Sequence, residues 1–286
     1  MVAENLSQQV YAVVGDPLGH TFSPRLHRAV FDYLGLSHIY IAWEVKKAEF
    51  KAAAAQLARN TAGFNVTAPY KEEIIEYLDD LDLSAEIYEA VNTVKKEKGR
   101  LIGYNTDGSG FLQGLGAYEI EGKNVLILGA GGAAQTIAYE LAHRGCRLTI
   151  ANRSDERASR LVFRLKRKFP AVQARKARLN KIPTDNYHCV INATPLGMGK
   201  LSGETPLHSQ HLSGVELVYD LIYNPGETKL LKLAEAVGCR TINGFQMLAW
   251  QGLKAQEIWL NRTFSQQEAA DILEIIERKK EAWQKS

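Results

Sequence analysis

Three glycines within four residues, Gly129, Gly131 and Gly132, follow the apolar run 125–128 and precede a helical pattern that begins at Ala133 and closes at Gly145. A second apolar run then ends on Asn152-Arg153. Strand, tight turn, helix and strand in that order let backbone N–H groups at a helix N-terminus cradle a pyrophosphate. Gly129 suits the sharp turn out of the strand, Gly131 lets phosphates approach bare backbone, and Ala134 keeps the helix close to the sheet. Gly129, Ala130, Gly131, Gly132 and Ala133 are therefore the expected pyrophosphate contacts. The ligand class is a dinucleotide.

The tip of the second strand bears on which one. An NAD site commonly places Asp or Glu there, about 20 residues after the glycines, on the ribose 2′-hydroxyl. This chain instead has Asn152, Arg153 and Ser154, with Arg157 one helical turn on. No carboxylate occupies the strand tip to repel a 2′-phosphate, and a guanidinium fork suits phosphate and can stack on adenine. Cations at a helix start oppose the macrodipole, so two arginines there favour a ligand over plain solvation. The expected cofactor is NADP, held at this end by Asn152, Arg153, Ser154 and Arg157.

Four polar clusters outside this segment also read as chemistry. Gly15-Asp-Pro-Leu-Gly-His20-Thr21-Phe22-Ser23-Pro24 leads from a strand into a helix, with His27 one turn further on. Thr21 and Ser23, beside free N–H groups, suit a carboxylate, although N-capping alone explains Ser23 equally well. Asn65-Val66-Thr67-Ala68-Pro69-Tyr70-Lys71 sets a hydroxyl and an ammonium just beyond a strand end. Glu89-Ala90-Val91-Asn92-Thr93 and Gly103-Tyr104-Asn105-Thr106-Asp107-Gly108 complete the set.

The elements that must position these clusters alternate. Strand patterns at 10–14, 39–45 and 62–66 are separated by helical patterns from Ser23 to near Gly35 and over 47–59, and Pro69 is placed to start a further helix. Segments 91–95 and 100–104 flank a charged turn at Gly99 and read as a hairpin. The dinucleotide unit begins near Gly122 and continues through strands at 188–192, 215–221 and 239–242, with a helix at 227–237. Helices at 245–260 and 265–283 close the chain, the second with Ser265 and Glu268 spaced as a capping box.

The 286 residues, 45% hydrophobic and 23% charged, suffice for a substantial core and for about two domains. A net charge of +3 is too mild to argue for nucleic acid or an anionic membrane as partner. Ten Lys or Arg lie in residues 157–181, most of them on an expected surface helix whose default reading is solvation. No stretch approaches the ~20 apolar residues of a membrane span, and no basic segment leads into a long apolar run at the N-terminus. Cys146, Cys189 and Cys239 have neither paired nor metal-ligand spacing, so buried reduced thiols and no metal site are expected. A soluble cytoplasmic protein is the expectation.

Taken in order, the segments resemble shikimate dehydrogenases, the family that interconverts shikimate and 3-dehydroshikimate with NADP in aromatic amino acid biosynthesis. The resemblance spans nearly the whole chain. It rests on Gly-x-Pro…His-x-x-Ser-Pro…His, Asn-Val-Thr-x-Pro-x-Lys, Ala-Val-Asn-Thr, Asn-Thr-Asp-Gly, Gly-Ala-Gly-Gly-Ala and Asn-Arg-Ser-x-x-Arg, followed by Asn-Ala-Thr-Pro-Leu-Gly, Tyr-Asp and Gly-x-x-Met-Leu-x-x-Gln. It implies a two-domain α/β fold with an active site in the cleft. A Rossmann-type NADP domain, residues 104–243, would be inserted into a discontinuous α/β substrate domain, residues 1–103 and 244–286. A monomer or homodimer acting on a small molecule would follow.

Carried over residue by residue, the resemblance implies Lys71 and Asp107 as the catalytic pair. Thr21, Ser23, Thr67, Asn92, Tyr223 and Gln251 would hold the substrate, and Thr194, Met198, Leu221, Gly244 and Met247 would line the nicotinamide side. Reducing a ketone requires hydride at carbon and a proton at the developing alkoxide, which an ammonium can stabilise and supply. Alone, Lys71 reads as a surface charge on a helix and Asp107 as an N-cap before Gly108-Ser-Gly-Phe. The chain departs from the family at Thr21, commonly Ser, at the bulky Phe22, and at Asn243, more usually Asp. A quinate/shikimate dehydrogenase with broadened substrate or cofactor use is therefore the alternative. A non-enzymatic nucleotide-binding regulator is opposed by the intact Lys71, Asp107, Asn92 and Gln251.

Overall fold

The computed structural model describes residues 8–19 and 21–284, so His20 of the first polar cluster lies outside the described residues. The chain divides into two compact units, residues 1–110 with 249–286, and residues 111–248. Among the described residues no helix is long and apolar enough to cross a membrane.

The first unit is built from β1 (Val10–Gly15), α1 (Ser23–Tyr33), β2 (Ile39–Glu44), α2 (Phe50–Asn60), β3 (Gly63–Val66), β4 (Asp80–Leu81), α3 (Leu83–Tyr88), β5 (Thr93–Glu97) and β6 (Arg100–Tyr104). Its sheet runs in the order β2-β1-β3-β5-β6-β4. Strand β1 alternates as a period of two demands: Tyr11 and Val13 pack with Phe31, Tyr40 and Trp259, while Ala12 and Val14 pack with Phe50, Leu57 and Phe64. Both faces are covered, which is why β1 reads as a continuous apolar run.

Register then places the chemistry. Val14 pairs with Val66 in parallel, Asn65 with Thr93 antiparallel, and Thr93 with Tyr104 antiparallel. The residues after β1, after β3, before β5 and after β6 therefore emerge at one end of the strands. Those are the four polar clusters.

Two local expectations fail here. Pro69 opens no α-helix: Tyr70 closes a turn onto the Thr67 carbonyl at 3.0 Å, and only a 3-10 turn, Glu73–Tyr77, follows. The Lys71 carbonyl accepts from the Val91 N–H at 2.8 Å, so a cross-chain donor takes the acceptor that an α-helix would offer to residue 75. Ser23 begins α1 without capping it; Phe22 holds the cap position, and Thr21 Oγ1 accepts from the Ser23 N–H at 3.3 Å. Strand β4 and helix α3, which the pattern did not announce, are too short for periodicity to register. Asp82 caps α3, accepting from the Ser84 N–H at 2.9 Å.

After α4 (Asp107–Leu115), the second unit holds β7 (Asn124–Leu128), α5 (Gly132–His143), β8 (Arg147–Asn152), α6 (Asp155–Lys168), β9 (Ala174–Arg178), β10 (Cys189–Asn192), β11 (Leu217–Asp220), α7 (Lys229–Ala236) and β12 (Arg240–Asn243). All six strands are parallel, in the order β12-β11-β10-β7-β8-β9. Counted from β7, that is the Rossmann order, whose switch point lies between β7 and β10. Strand β9 went unread because its sequence, Ala-Arg-Lys-Ala-Arg, buries only the two alanines and sits at the sheet edge. Edge strands carry charge to avoid pairing with other chains. Helices α8 (Phe245–Leu260) and α9 (Gln266–Gln284) complete the chain. The capping box forms as expected, with Ser265 N–H to Glu268 Oε2 at 2.9 Å and Glu268 N–H to Ser265 Oγ at 3.2 Å. Cys146, Cys189 and Cys239 are buried free thiols.

Candidate active site

Lys71 is aimed by its neighbour. Tyr70 is fully buried, stacks on Phe50 with ring centroids 4.0 Å apart, and donates its hydroxyl to the Val45 carbonyl at 2.6 Å. With Tyr70 anchored inward and the Lys71 carbonyl held by Val91, little freedom remains for the Lys71 backbone. Its Nζ forms an ion pair and hydrogen bond with Asp107 Oδ2, 36 residues away in sequence, with only 14% and 7% of the two side chains exposed.

Asp107 does not cap its helix. Its second oxygen, Oδ1, accepts from the Asn92 amide at 2.8 Å. The same amide lies 2.9 Å from Thr106 Oγ1 and 3.4 Å from Gln251 Oε1. Asn92 Oδ1 accepts from the Thr106 N–H at 2.8 Å, and Asn105 Oδ1 accepts from the Asp107 N–H at 3.0 Å. Asn105 is itself tied to the Ala90 carbonyl at 2.8 Å. A buried carboxylate with this many fixed neighbours is positioned before any ligand arrives. The structure thus joins Lys71, Asp107, Asn92 and Gln251 in one network. Thr106, Asn105 and Thr93 also belong to it; all three stood inside the sequence motifs, but their role depends on a register that spacing cannot reveal.

Thr21 and Ser23 form a pair of their own, with Thr21 Oγ1 donating to Ser23 Oγ at 3.2 Å. Thr67 follows β3, where a Cβ on Gly15 would lie 2.3 Å from its methyl group. Gly15 is therefore what allows Thr67 to sit against the end of β1. Tyr223 lies in the second unit, half-buried just beyond β11.

The glycine loop of the second unit separates two requirements. Gly129 has φ +111°, and a Cβ there would lie 2.9 Å from the Ala193 carbonyl oxygen, so the turn itself demands glycine. Gly131 has φ −92° and ψ −176°, which any residue adopts, and its Cβ would meet nothing within 4 Å. Nothing in the fold requires Gly131 to be bare. As N-cap of α5 without a side-chain cap, it leaves open space beside helix-start N–H groups, which fits a pyrophosphate. Ala130, Gly132 and Ala133 stand in the same turn.

Beyond β8, Asn152 Nδ2 donates to the Ser154 carbonyl at 3.0 Å, and Ser154 caps α6, accepting from the Arg157 N–H at 3.4 Å. Arg153 and Arg157 are exposed. A cavity of about 550 Å³ beside Arg153 is also lined by Asp155, Arg178, Leu196, Thr205 and His208. Of these only Arg153 was expected; Asp155 adjoins it in sequence, and the rest come from three later segments. Thr194 Oγ1 donates to Asn192 Oδ1 at 2.7 Å, Met198 is 41% exposed, and Met247 is buried. A Cβ on Gly244 would lie 1.9 Å from the Leu221 carbonyl oxygen, so those two backbones meet directly.

Asp220, which the sequence marked only as part of a Tyr-Asp motif, holds this loop end together. Fully buried, it accepts from Asn192 Nδ2 at 2.9 Å, Thr228 Oγ1 at 2.7 Å and the Ile222 N–H at 3.1 Å. Burial pushes its carboxyl up from 3.8 to about 6, against the pull of these donors. A carboxyl raised in the folded state stabilises below its unfolded pKa, and that contribution is lost as pH rises through the folded value. The window is thus about pH 4 to 6, and a displacement of that size is worth about 3 kcal/mol. Asp220→Asn should therefore gain stability relative to the parent as pH rises across that window, measured by denaturant unfolding at each pH. Identical pH slopes in the two proteins would refute this.

Residues 13–94 match the family model described as shikimate dehydrogenase substrate binding domain, and residues 114–198 match shikimate / quinate 5-dehydrogenase. A shikimate dehydrogenase (NADP(+)) of Carboxydothermus hydrogenoformans is 41% identical over 261 residues, covering 89% of this chain and 92% of that protein. A crystal structure of a shikimate dehydrogenase in complex with NADP+ is 38% identical, with a TM-score of 0.84 over 95% of this chain and 96% of that one. The ligand-free 5-ketofructose reductase of a Gluconobacter strain is 35% identical with a TM-score of 0.81, over 95% and 99% of the two chains. One architecture therefore carries more than one reductase specificity. With two matched domain models and a relative of this identity along most of its length, the chain belongs to the shikimate dehydrogenase family.

Proposed function

We propose that this chain catalyses the reversible, NADP-dependent reduction of 3-dehydroshikimate to shikimate in aromatic amino acid biosynthesis. The observation that carries the proposal is the buried Lys71–Asp107 ion pair at the strand ends where all four polar clusters emerge. The assignment of residues 1–103 and 244–286 to substrate and of 104–243 to dinucleotide belongs to the same reading.

NADPH supplies the hydride when bound; Gly129, Ala130, Gly131, Gly132 and Ala133 would hold its pyrophosphate and Asn152, Arg153, Ser154 and Arg157 its 2′-phosphate end. Thr194, Met198, Leu221, Gly244 and Met247 would lie along the nicotinamide. Lys71 Nζ donates its proton to the substrate oxygen as negative charge develops there, and takes one back in the oxidative direction. Asp107 holds that Nζ in place, and Asn92 holds Asp107. The Thr21 and Ser23 hydroxyls donate to the substrate carboxylate, and Thr67, Asn92, Tyr223 and Gln251 hold its remaining oxygens. The small net charge argues against nucleic acid or an anionic membrane as partner, and a cytoplasmic monomer or homodimer belongs to the same proposal.

Steady-state rates for shikimate, quinate and 5-ketofructose, each with NADP and NAD or their reduced forms, test this reading. Shikimate with NADP should give the highest kcat/KM, and a phosphate held by guanidinium groups predicts at least about a tenfold preference over NAD. Thr21 makes quinate the instructive competitor, because its extra methyl stiffens χ1 beside the Ser23 hydroxyl. Faster turnover of another substrate overturns the assignment of shikimate, and preference for NAD overturns the cofactor.

A further inference from the structure

We propose that Arg178, on strand β9, is a further ligand of the NADP 2′-phosphate, with Lys176 assisting by neutralising Asp155. This rests on NADP being the cofactor whose phosphorylated ribose enters the cavity beside Arg153.

Register brings Arg178 to the site. β8 and β9 are parallel and Asn152 pairs with Arg178, so Arg178 stands level with the residue before Arg153, at the strand ends where a Rossmann sheet binds its ligand. Arg153 and Arg178 both line the 550 Å³ cavity. Both are exposed, and among the described residues neither guanidinium has a hydrogen bond or ion pair. The other two cations of β9 are engaged. Arg175 binds Thr149 Oγ1 at 3.0 Å and pairs with Asp185, while Lys176 lies 2.5 Å from Asp155 Oδ2 and 2.9 Å from Ser159 Oγ. Period-two alternation puts Arg178 on the same face as Lys176, toward the start of α6. Of the three, only Arg178 keeps an unspent fork.

Asp155 is the one carboxylate in the cavity wall. Left alone it would repel a phosphate and favour a free ribose hydroxyl, as acidic strand tips do in NAD sites. Its hydrogen bond to Lys176, reinforced by the charge of Arg178, holds its carboxyl below the usual range, so it stays ionised and paired. With Asp155 offset by Lys176, the Arg153 and Arg178 guanidiniums in the cavity wall remain as a surplus that matches a phosphate monoester of roughly two negative charges. Two guanidinium forks can grip such a group where one ammonium cannot.

Calorimetric titration of the full chain with adenosine 2′,5′-bisphosphate and with 5′-AMP tests this without turnover. Arg178→Gln should weaken the bisphosphate about tenfold and leave 5′-AMP unchanged, as expected for one charge-assisted phosphate contact. Arg178→Lys should recover part of the loss. Lys176→Gln should also weaken the bisphosphate selectively, and adding Asp155→Asn should restore it. If Arg178→Gln binds the bisphosphate like the parent while Arg153→Gln does not, the role of Arg178 is overturned and the NADP reading stands. Equal weakening of both ligands by Arg178→Gln marks a structural effect and also overturns it. If the parent itself shows no preference for the bisphosphate, the NADP reading fails with it.

Discussion

Lys71→Ala is expected to lower kcat for 3-dehydroshikimate reduction by about 10³- to 10⁴-fold, the upper range for loss of a positioned proton donor that also stabilises an oxyanion. The KM for NADPH should stay close to the parent's, since Lys71 belongs to the first unit and the glycine loop to the second. Removing one partner of a buried ion pair also costs about 3–5 kcal/mol when the other charge is left uncompensated. Here the Asn92 amide still donates to Asp107 at 2.8 Å, so the loss should fall at or below the low end, and folding must be checked by circular dichroism and unfolding midpoint. Partial rescue by added methylamine would separate a missing proton donor from a displaced loop. Turnover near the parent's level in a folded Lys71→Ala protein would eliminate Lys71 as the acid.

The second large effect is expected at a residue the fold itself does not need. Gly131→Val should keep the parent's melting temperature, because its backbone angles suit any residue and its Cβ would meet nothing within 4 Å. Yet it should raise the NADP dissociation constant about 100-fold, or about 2.8 kcal/mol, by filling the space where phosphate oxygens approach the backbone. Gly129→Val makes the opposite control. There φ is +111° and the Ala193 carbonyl stands 2.9 Å from the added atom, so stability should fall along with binding. A Gly131→Val protein that binds NADP normally would remove the pyrophosphate from this loop. One that fails to fold would show that the glycine serves structure after all.

The elements that were legible in the sequence are those whose signal is local. The apolar run of β1, the glycine turn after β7 and the Ser265–Glu268 capping box each depend on residues within a few positions of one another. Where the local signal was weak or answered from afar, the sequence misled or stayed silent. Pro69 carried a helix-start signal, but the Val91 N–H takes the carbonyl that the next turn would need. Strand β9 offered no hydrophobic run because an edge strand with two small buried residues needs none.

The chain alone therefore determined its class, its dinucleotide loop and, through ordered motifs, the roster of polar residues that could act on a substrate. It could not determine which of those residues meet. Lys71, Asp107, Asn92 and Gln251 span 180 positions in sequence and are joined only because strands β3, β5 and β6 align their ends and α8 supplies Gln251. Arg178 likewise stands level with Asn152 only through the pairing of β8 with β9. Propensity and capping act over a turn or two of chain, so sequence carries them directly. Ion pairs and cavity walls are set by strand order and register, and those exist only once the sheet has formed.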